Sequence, residues 1–283
     1  MADLLKGAAV AAALNEKMSA KVAALVEKGV APTLAILRVG AREDDLSYER
    51  GAVKRCETVG VSVKSVVLPA DVGQDELQAA IVALNNDASV HGVLMFRPLP
   101  KHLDEELACR TLLPEKDVDG ITSGSLAGVF SGSGEGYPPC TAQAAMEILE
   151  HYGYDLKGKR AVVVGRSLVV GKPVGIMLMG KHATVTTCHT RTVDMPSITR
   201  EADLLVVAAG VASAVTKEYL SPGQVVIDVG INVNAEGKLV GDVNFDDADS
   251  IVSAITPVPG GVGTVTTSVL VSHVVDAAEK TLK

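Results

Sequence analysis

Three places in this chain carry residue types and spacings that point to chemistry. The first is Ala161-Val-Val-Val-Gly165-Arg166-Ser167, followed by Gly171-Lys-Pro173. An apolar run enters a glycine-bearing turn, and a helix opens with a proline near its first turn. That order aims helix-end N–H groups at a phosphate, which the helix dipole also favours. It is not the G-x-G-x-x-G fingerprint. Arg166 follows the expected strand end, and Thr190 and Arg191 follow the next one, with no acidic residue there to prefer a free ribose 2′-hydroxyl. Two cations at those positions favour a 2′-phosphate, hence NADP over NAD.

The second is Ile255-Thr-Pro-Val-Pro-Gly-Gly-Val-Gly263. Two prolines fix their own backbone angles and withhold N–H donors, while the glycines permit close approach of backbone and ligand. A rigid, bare loop between a strand end and a helix start is where α/β proteins build ligand sites. The third group lies in the first half. Ser47-Tyr48 opens a helix, Phe96-Arg97-Pro98-Leu99-Pro100 ends a strand, and Lys116-Asp117-Val-Asp119-Gly120 is a turn with two carboxylates. Asp228 and Asp242 are further acid/base candidates, although aspartate beside glycine more often caps a turn.

These residues need a scaffold, and the pattern supplies one. Apolar, β-branched runs alternate with helical patterns. Expected strands lie at 33–39, 61–68, 92–96, 161–165, 184–188, 204–208 and 225–229, and expected helices at 46–59, 74–85, 104–113, 142–152, 173–180 and 266–283. Continuous runs such as Val162-Val-Val164 suit parallel strands buried on both faces, so the fold class is α/β with doubly wound parallel sheets. Ser, Gly and Pro crowd together at 131–139, which marks a linker. The expected division is residues 1–140 with the last helix, 266–283, as one domain, and residues 141–265 as a Rossmann-like NAD(P)-binding domain.

Composition narrows the partners. With no Trp, three Phe, five Tyr and a formal charge of −8, the chain offers neither a stacking platform nor a basic surface, so no nucleic acid is expected. No stretch approaches 18 apolar residues, so none is expected to span a membrane. Gly7 to Leu14 is apolar, but Asp3 precedes it and Glu16 and Lys17 follow, which fits a first amphipathic helix better than a signal peptide. Four well-separated cysteines form neither a metal pattern nor a disulfide framework, so no metal and a cytoplasmic, reducing compartment are expected.

Taken together, these segments resemble the bifunctional methylenetetrahydrofolate dehydrogenase/methenyltetrahydrofolate cyclohydrolase family along essentially the whole chain. Tyr48 with Cys56-Glu57, the Pro98-Leu-Pro100 loop, Lys116 to Gly120, Pro139-Cys-Thr141, Gly165-Arg-Ser167, Val225 to Asn232, Gly241-Asp-Val243 and Ile255 to Gly263 carry the likeness. The resemblance implies a homodimer of two-domain subunits with the active site between domains. NADP would lie along Gly165, Arg166, Ser167, Thr190, Arg191 and Ile231. Folate would meet Tyr48, which stacks on the aminobenzoate ring, and Asp119, which hydrogen-bonds the pterin. These two are the catalytic-site candidates, with Pro259, Gly260 and Gly261 lining the substrate side.

Two departures stand out. Where the family has a catalytic lysine four residues after the tyrosine, this chain has Ala52, and where it has that lysine's glutamine partner, this chain has Phe96. Lys54 lies about 240° round the helix from Tyr48, whereas position 52 lies only about 40° away. Lys54 and the neighbouring Arg97 are the basic side chains available for recruitment. The expectation is an NADP-dependent dehydrogenase with a weakened, absent or rebuilt cyclohydrolase. The alternatives are another Rossmann dehydrogenase acting on a small hydroxy or keto acid, and a non-catalytic NADP/folate-binding protein.

Overall fold

The computed structural model describes residues 1–282; Lys283, the end of the segment read as the last helix, lies outside the described residues. In chain order the first elements are β1 (Asp3–Leu4), α1 (Gly7–Glu27), β2 (Thr33–Val39), α2 (Glu43–Val59), β3 (Ser62–Leu68), α3 (Gln74–Asn86) and β4 (Gly92–Met95). Then come α4 (Glu105–Thr111), α5 (Ser123–Ser131), α6 (Cys140–His151), β5 (Arg160–Val164), α7 (Gly171–Gly180), β6 (Thr184–Cys188), α8 (Met195–Arg200) and β7 (Leu204–Val207). The rest are β8 (Val225–Asp228), β9 (Asn232–Val233), β10 (Leu239–Val240), α9 (Phe245–Ile251), β11 (Ala254–Ile255) and α10 (Val262–Lys280).

The chain divides into two compact units, residues 13–140 with 267–283 and residues 1–12 with 141–266. The first unit is built on a parallel three-stranded sheet in the order β3-β2-β4. The central β2 is buried along nearly its whole length, which its unbroken Leu-Ala-Ile-Leu run requires, while the edge strand β3 alternates with Ser and Lys and is largely exposed. One face of this sheet (Ala35, Leu37, Val39, Val93, Met95) packs with Leu77, Ile81 and Leu84 of α3 and Ala108 of α4.

The second unit carries a six-stranded sheet in the order β1-β11-β8-β7-β5-β6, parallel throughout, beside a small β9–β10 hairpin. Its central strands β5, β7 and β8 are Val- and Leu-rich and buried, whereas the threonine-rich β6 forms an edge. Residues 1–12, read from sequence as part of the first domain, group here instead. The physical cause is β1, which pairs in parallel with β11 through Asp3 with Ala254 and Leu4 with Ile255. Two residues are too short to announce a strand by periodicity, so the pairing becomes visible only in the sheet. Helix α10 also starts four residues earlier than its expected limit, since the glycine-rich loop ends at Val262 rather than beyond it.

Candidate functional site

In the unit built on the six-stranded sheet, β5 runs straight into the glycine turn. Gly165 has φ +131°, and a Cβ there would sit 2.3 Å from the Ala208 carbonyl oxygen. A Cβ on Gly171 would sit 2.2 Å from the Gly165 carbonyl oxygen, so both positions need bare backbone. Within the turn the Ser167 hydroxyl accepts from the Val170 N–H at 3.1 Å, and the Lys172 N–H donates to the Ser167 carbonyl at 3.0 Å. Helix α7 then begins; the Gly171 and Lys172 N–H groups bond Ser167 and Pro173 has none, so what the helix offers an anion is its positive dipole end. Arg166, Ser167, Thr190 and Arg191 are all exposed. The bare cradle, the helix start and two exposed guanidinium groups fit a dinucleotide phosphate.

His189 serves the loop after β6 rather than any acid/base task. Its Nδ1 accepts the Arg191 N–H at 3.1 Å, and its own N–H donates to the Thr192 hydroxyl at 2.9 Å. Further along the same sheet edge, a concavity of about 220 Å³ is lined by Gly230, Ile231, Pro257, Pro259, Gly260 and Gly261 among others. Ile231 is 65% exposed beside it. The proline–glycine loop therefore does line a pocket, and Ile231 shares it.

Asp228 and Asp242 support this edge from beneath. Both are buried. Asp228 accepts from the N–H groups of Gly230, Asp242 and Val243, and Asp242 accepts from those of Gly210 and Val211 and from the Asn232 side-chain amide. Burial pushes the Asp228 carboxyl up to about 6 against the pull of its three backbone donors. Five backbone donors and an amide engage these two groups, so their role is to hold loops, in keeping with the turn reading.

In the unit built on the three-stranded sheet, Tyr48 lies on α2 and meets Phe96, which directly follows β4. The rings stand edge to face, 5.9 Å apart at 86°. Ala52, one turn beyond Tyr48, is completely buried, and Phe96 is 9% exposed. Asp119 lies close enough that its charge, after burial itself, raises the Tyr48 phenol. Burial and then neighbouring Asp117 push the Asp119 carboxyl up to about 6, with the Cys140 thiol and Arg97 acting in the opposite direction. The two carboxylates of this turn divide their tasks. Asp117 is fully buried and accepts the N–H groups of Ile121 (3.0 Å) and Thr122 (2.7 Å), which leaves Asp119 as the one available to a ligand.

Neither basic candidate replaces the missing lysine. The Arg97 guanidinium pairs with Glu105 at 3.5 Å, while Glu105 accepts the Leu99 N–H at 2.8 Å. Arg97 thus fastens its own loop, reaching Asp119 only as the weakest influence on that carboxyl. Lys54 is exposed in a surface groove shared with Arg50 and Glu57. The structure brings Tyr48, Phe96 and Asp119 together and leaves Arg97 and Lys54 apart from them. It also draws in Cys140 and His273, to which the sequence reading gave no role. Positions 118–119, 140 and 273 carry no shared spacing, so only the fold could reveal them.

Residues 5–119 match the tetrahydrofolate dehydrogenase/cyclohydrolase catalytic domain, and residues 139–282 match the tetrahydrofolate dehydrogenase/cyclohydrolase NAD(P)-binding domain. The chain is 52% identical over 282 residues to the bifunctional protein FolD of Carboxydothermus hydrogenoformans, covering 99% of this chain and 98% of that one. The crystal structure of the bifunctional FolD dehydrogenase/cyclohydrolase from Campylobacter jejuni superposes with a TM-score of 0.96 at 38% identity, covering 99% of this chain and 100% of that one. The Trypanosoma brucei methylenetetrahydrofolate dehydrogenase-cyclohydrolase, solved with NADP cofactor and an inhibitor, gives 0.92 at 36% identity, covering 100% of this chain and 99% of that one.

The cradle geometry makes one direct demand. Gly165→Ala is expected to weaken NADPH binding by more than about tenfold, because the added methyl both strains the backbone and displaces the Ala208 carbonyl. Titration followed by NADPH fluorescence checks this; an unchanged Kd in a normally folded variant contradicts the assignment of the cradle.

Proposed function

The chain belongs to the tetrahydrofolate dehydrogenase/cyclohydrolase family, and from that premise we propose that it is an NADP-dependent methylenetetrahydrofolate dehydrogenase whose cyclohydrolase step is weak or lost. One observation carries this reading. Tyr48 and Asp119, the groups that would bind folate, stand together, while the positions of the proton-handling pair hold a buried methyl and a phenyl ring.

The two half-reactions ask different things of the chain. Oxidation of the methylene bridge leaves a methenyl cation already stabilised by its two nitrogens, and no proton need move. That step rests on alignment of the two ligands, a proximity effect. Tyr48 would stack on the aminobenzoate ring and the Asp119 carboxylate would take the pterin N–H donors. Gly165, Arg166, Ser167, Thr190 and Arg191 would hold the phosphates, with Ile231 and the Pro259-Gly260-Gly261 loop beside the nicotinamide and substrate. NADP supplies the hydride acceptor when bound. Hydrolysis of the cation differs, because water must be activated and a ring nitrogen must gain a proton. Positioned acid/base groups contribute about 10² to 10⁴-fold to such steps. Ala52 and Phe96 have no proton to give, and an apolar wall does not orient water.

Separate assays of the two steps test the split. NADP-dependent oxidation of 5,10-methylenetetrahydrofolate is expected at ordinary enzymatic turnover, with hydrolysis of methenyltetrahydrofolate at least about a hundredfold slower. Ala52→Lys combined with Phe96→Gln is expected to raise hydrolysis by about tenfold or more. Hydrolysis by the wild-type chain that keeps pace with oxidation would sink the split, and oxidation absent with bound NADPH and folate would favour a non-catalytic binding protein.

Asp119 gives the reaction a pH signature. A carboxylate must be ionised to accept two pterin donors, and burial holds this one near 6. Folate recognition is therefore present above about pH 6 and lost as the pH falls through it. Between about pH 8 and pH 5, kcat/KM is expected to fall about tenfold per unit on the acid side. Asp119→Asn should lower the plateau and remove that inflection; the same inflection surviving in the variant assigns it elsewhere.

The family also supports a cytoplasmic homodimer for this chain. No described helix is long and apolar enough to cross a membrane. The open outer edge of β3, with Val67 exposed, offers a face on which a second copy could pair. Light scattering coupled to gel filtration is expected to give about twice the 29.2 kDa chain mass; a monomer at micromolar concentration removes the proposal.

A further inference from the structure

The peptide that carries Asp119 is gripped by side chains from two distant parts of the same unit. Cys140 opens α6 and His273 lies in the second half of α10; they are 2% and 6% exposed. Both meet the carbonyl oxygen of Val118, the residue before Asp119. His273 Nδ1 lies 2.8 Å from it and Cys140 Sγ 3.2 Å. A carbonyl oxygen only accepts, so Nδ1 is the protonated nitrogen of this ring. The turn itself is pressed against the chain leading into α6. Gly120 has φ +69°, and a Cβ there would sit 2.4 Å from the Pro139 backbone nitrogen.

The thiol donates to the same Val118 carbonyl, whose two lone pairs take both bonds, and its sulfur lies 3.8 Å from His273 Nδ1. His273 is otherwise out of place, since its neighbours on α10 are the buried Val269, Leu270, Val271, Val274 and Val275. An imidazole in such a stripe costs free energy unless it is bonded, and burial holds it neutral. The tilted stack of its ring on Tyr137, centroids 5.0 Å apart, fixes the plane in which Nδ1 points.

We propose that His273 is a positioning residue for folate binding: by holding the Val118 carbonyl together with the Cys140 thiol, it fixes the peptide that carries the Asp119 carboxylate. The inference rests on the reading of Asp119 as the pterin-binding group. It assigns to His273 an effect on the folate alone, since neither Val118 nor Asp119 belongs to the unit that carries the phosphate cradle.

The experiment measures KM for 5,10-methylenetetrahydrofolate and for NADP, together with the calorimetric Kd of tetrahydrofolate, in wild type and variants. His273→Leu fills the volume and removes the donor. It is expected to raise the folate KM and the tetrahydrofolate Kd about fivefold, with the NADP KM within about twofold of wild type. His273→Asn places an amide Nδ2–H close to where Nδ1–H stood, and is expected to bring both folate values back to within about twofold of wild type. If His273→Leu gives no folded protein, His273→Gln, whose amide lies one carbon too far, takes its place in the same comparison. An unchanged folate KM without the donor overturns the proposal. So does equal loss toward both ligands, or an asparagine variant no better than the leucine or glutamine one. A wild-type protein that neither binds tetrahydrofolate nor oxidises its methylene derivative fails before any variant is made, and takes the functional reading of Asp119 with it.

Discussion

Buried carboxylates that accept backbone N–H groups are the constraint on which the loops of both candidate sites depend. A parallel sheet ends at its carboxyl edge in loops whose N–H groups have left the ladder, and an unpaired donor buried there is costly. In one unit Asp228 and Asp242 collect the donors of residues 210, 211, 230, 242 and 243. In the other, Asp117 collects those of residues 121 and 122. Each loop is thereby fixed by carboxylates already engaged with its backbone. The bare glycines of one unit and the half-buried Asp119 of the other can then be placed beside them without strain in their own backbone.

That arrangement explains which parts of the site were legible in the sequence. Features created by backbone geometry leave a mark in composition. Gly165 and Gly171 stand where a Cβ would strike a carbonyl, and the proline–glycine loop lines a pocket as its rigidity implied. The central strands were equally plain, since β2, β5 and β8 are apolar on both faces. Two-residue strands left no such mark. β1 is only Asp3 and Leu4, and its pairing with β11 moved the first twelve residues to the other unit. Nor could sequence say where long side chains turn. Arg97 follows Phe96 directly, yet it pairs with Glu105 while Phe96 meets Tyr48. His273 was invisible for a deeper reason, since its partner lies 155 positions away in the chain.

The paired change at positions 52 and 96 follows from the same rule about unmet polar groups. Position 52 is fully buried and position 96 nearly so. A lysine at 52 beside a phenyl ring would be a buried charge without its partner, which costs far more than a surface charge. A glutamine at 96 beside a methyl would leave amide donors and an acceptor unmet, a penalty of about 1 to 3 kcal/mol. Either single change is therefore worse than neither or both. Positions 52 and 96 are both apolar here, and Phe96 meets Tyr48 edge to face. That contact also restrains the Tyr48 ring. On the proposed reading, apolar residues at both positions leave Tyr48 and Asp119 in place, so the alignment of two ligands does not depend on a group that activates water.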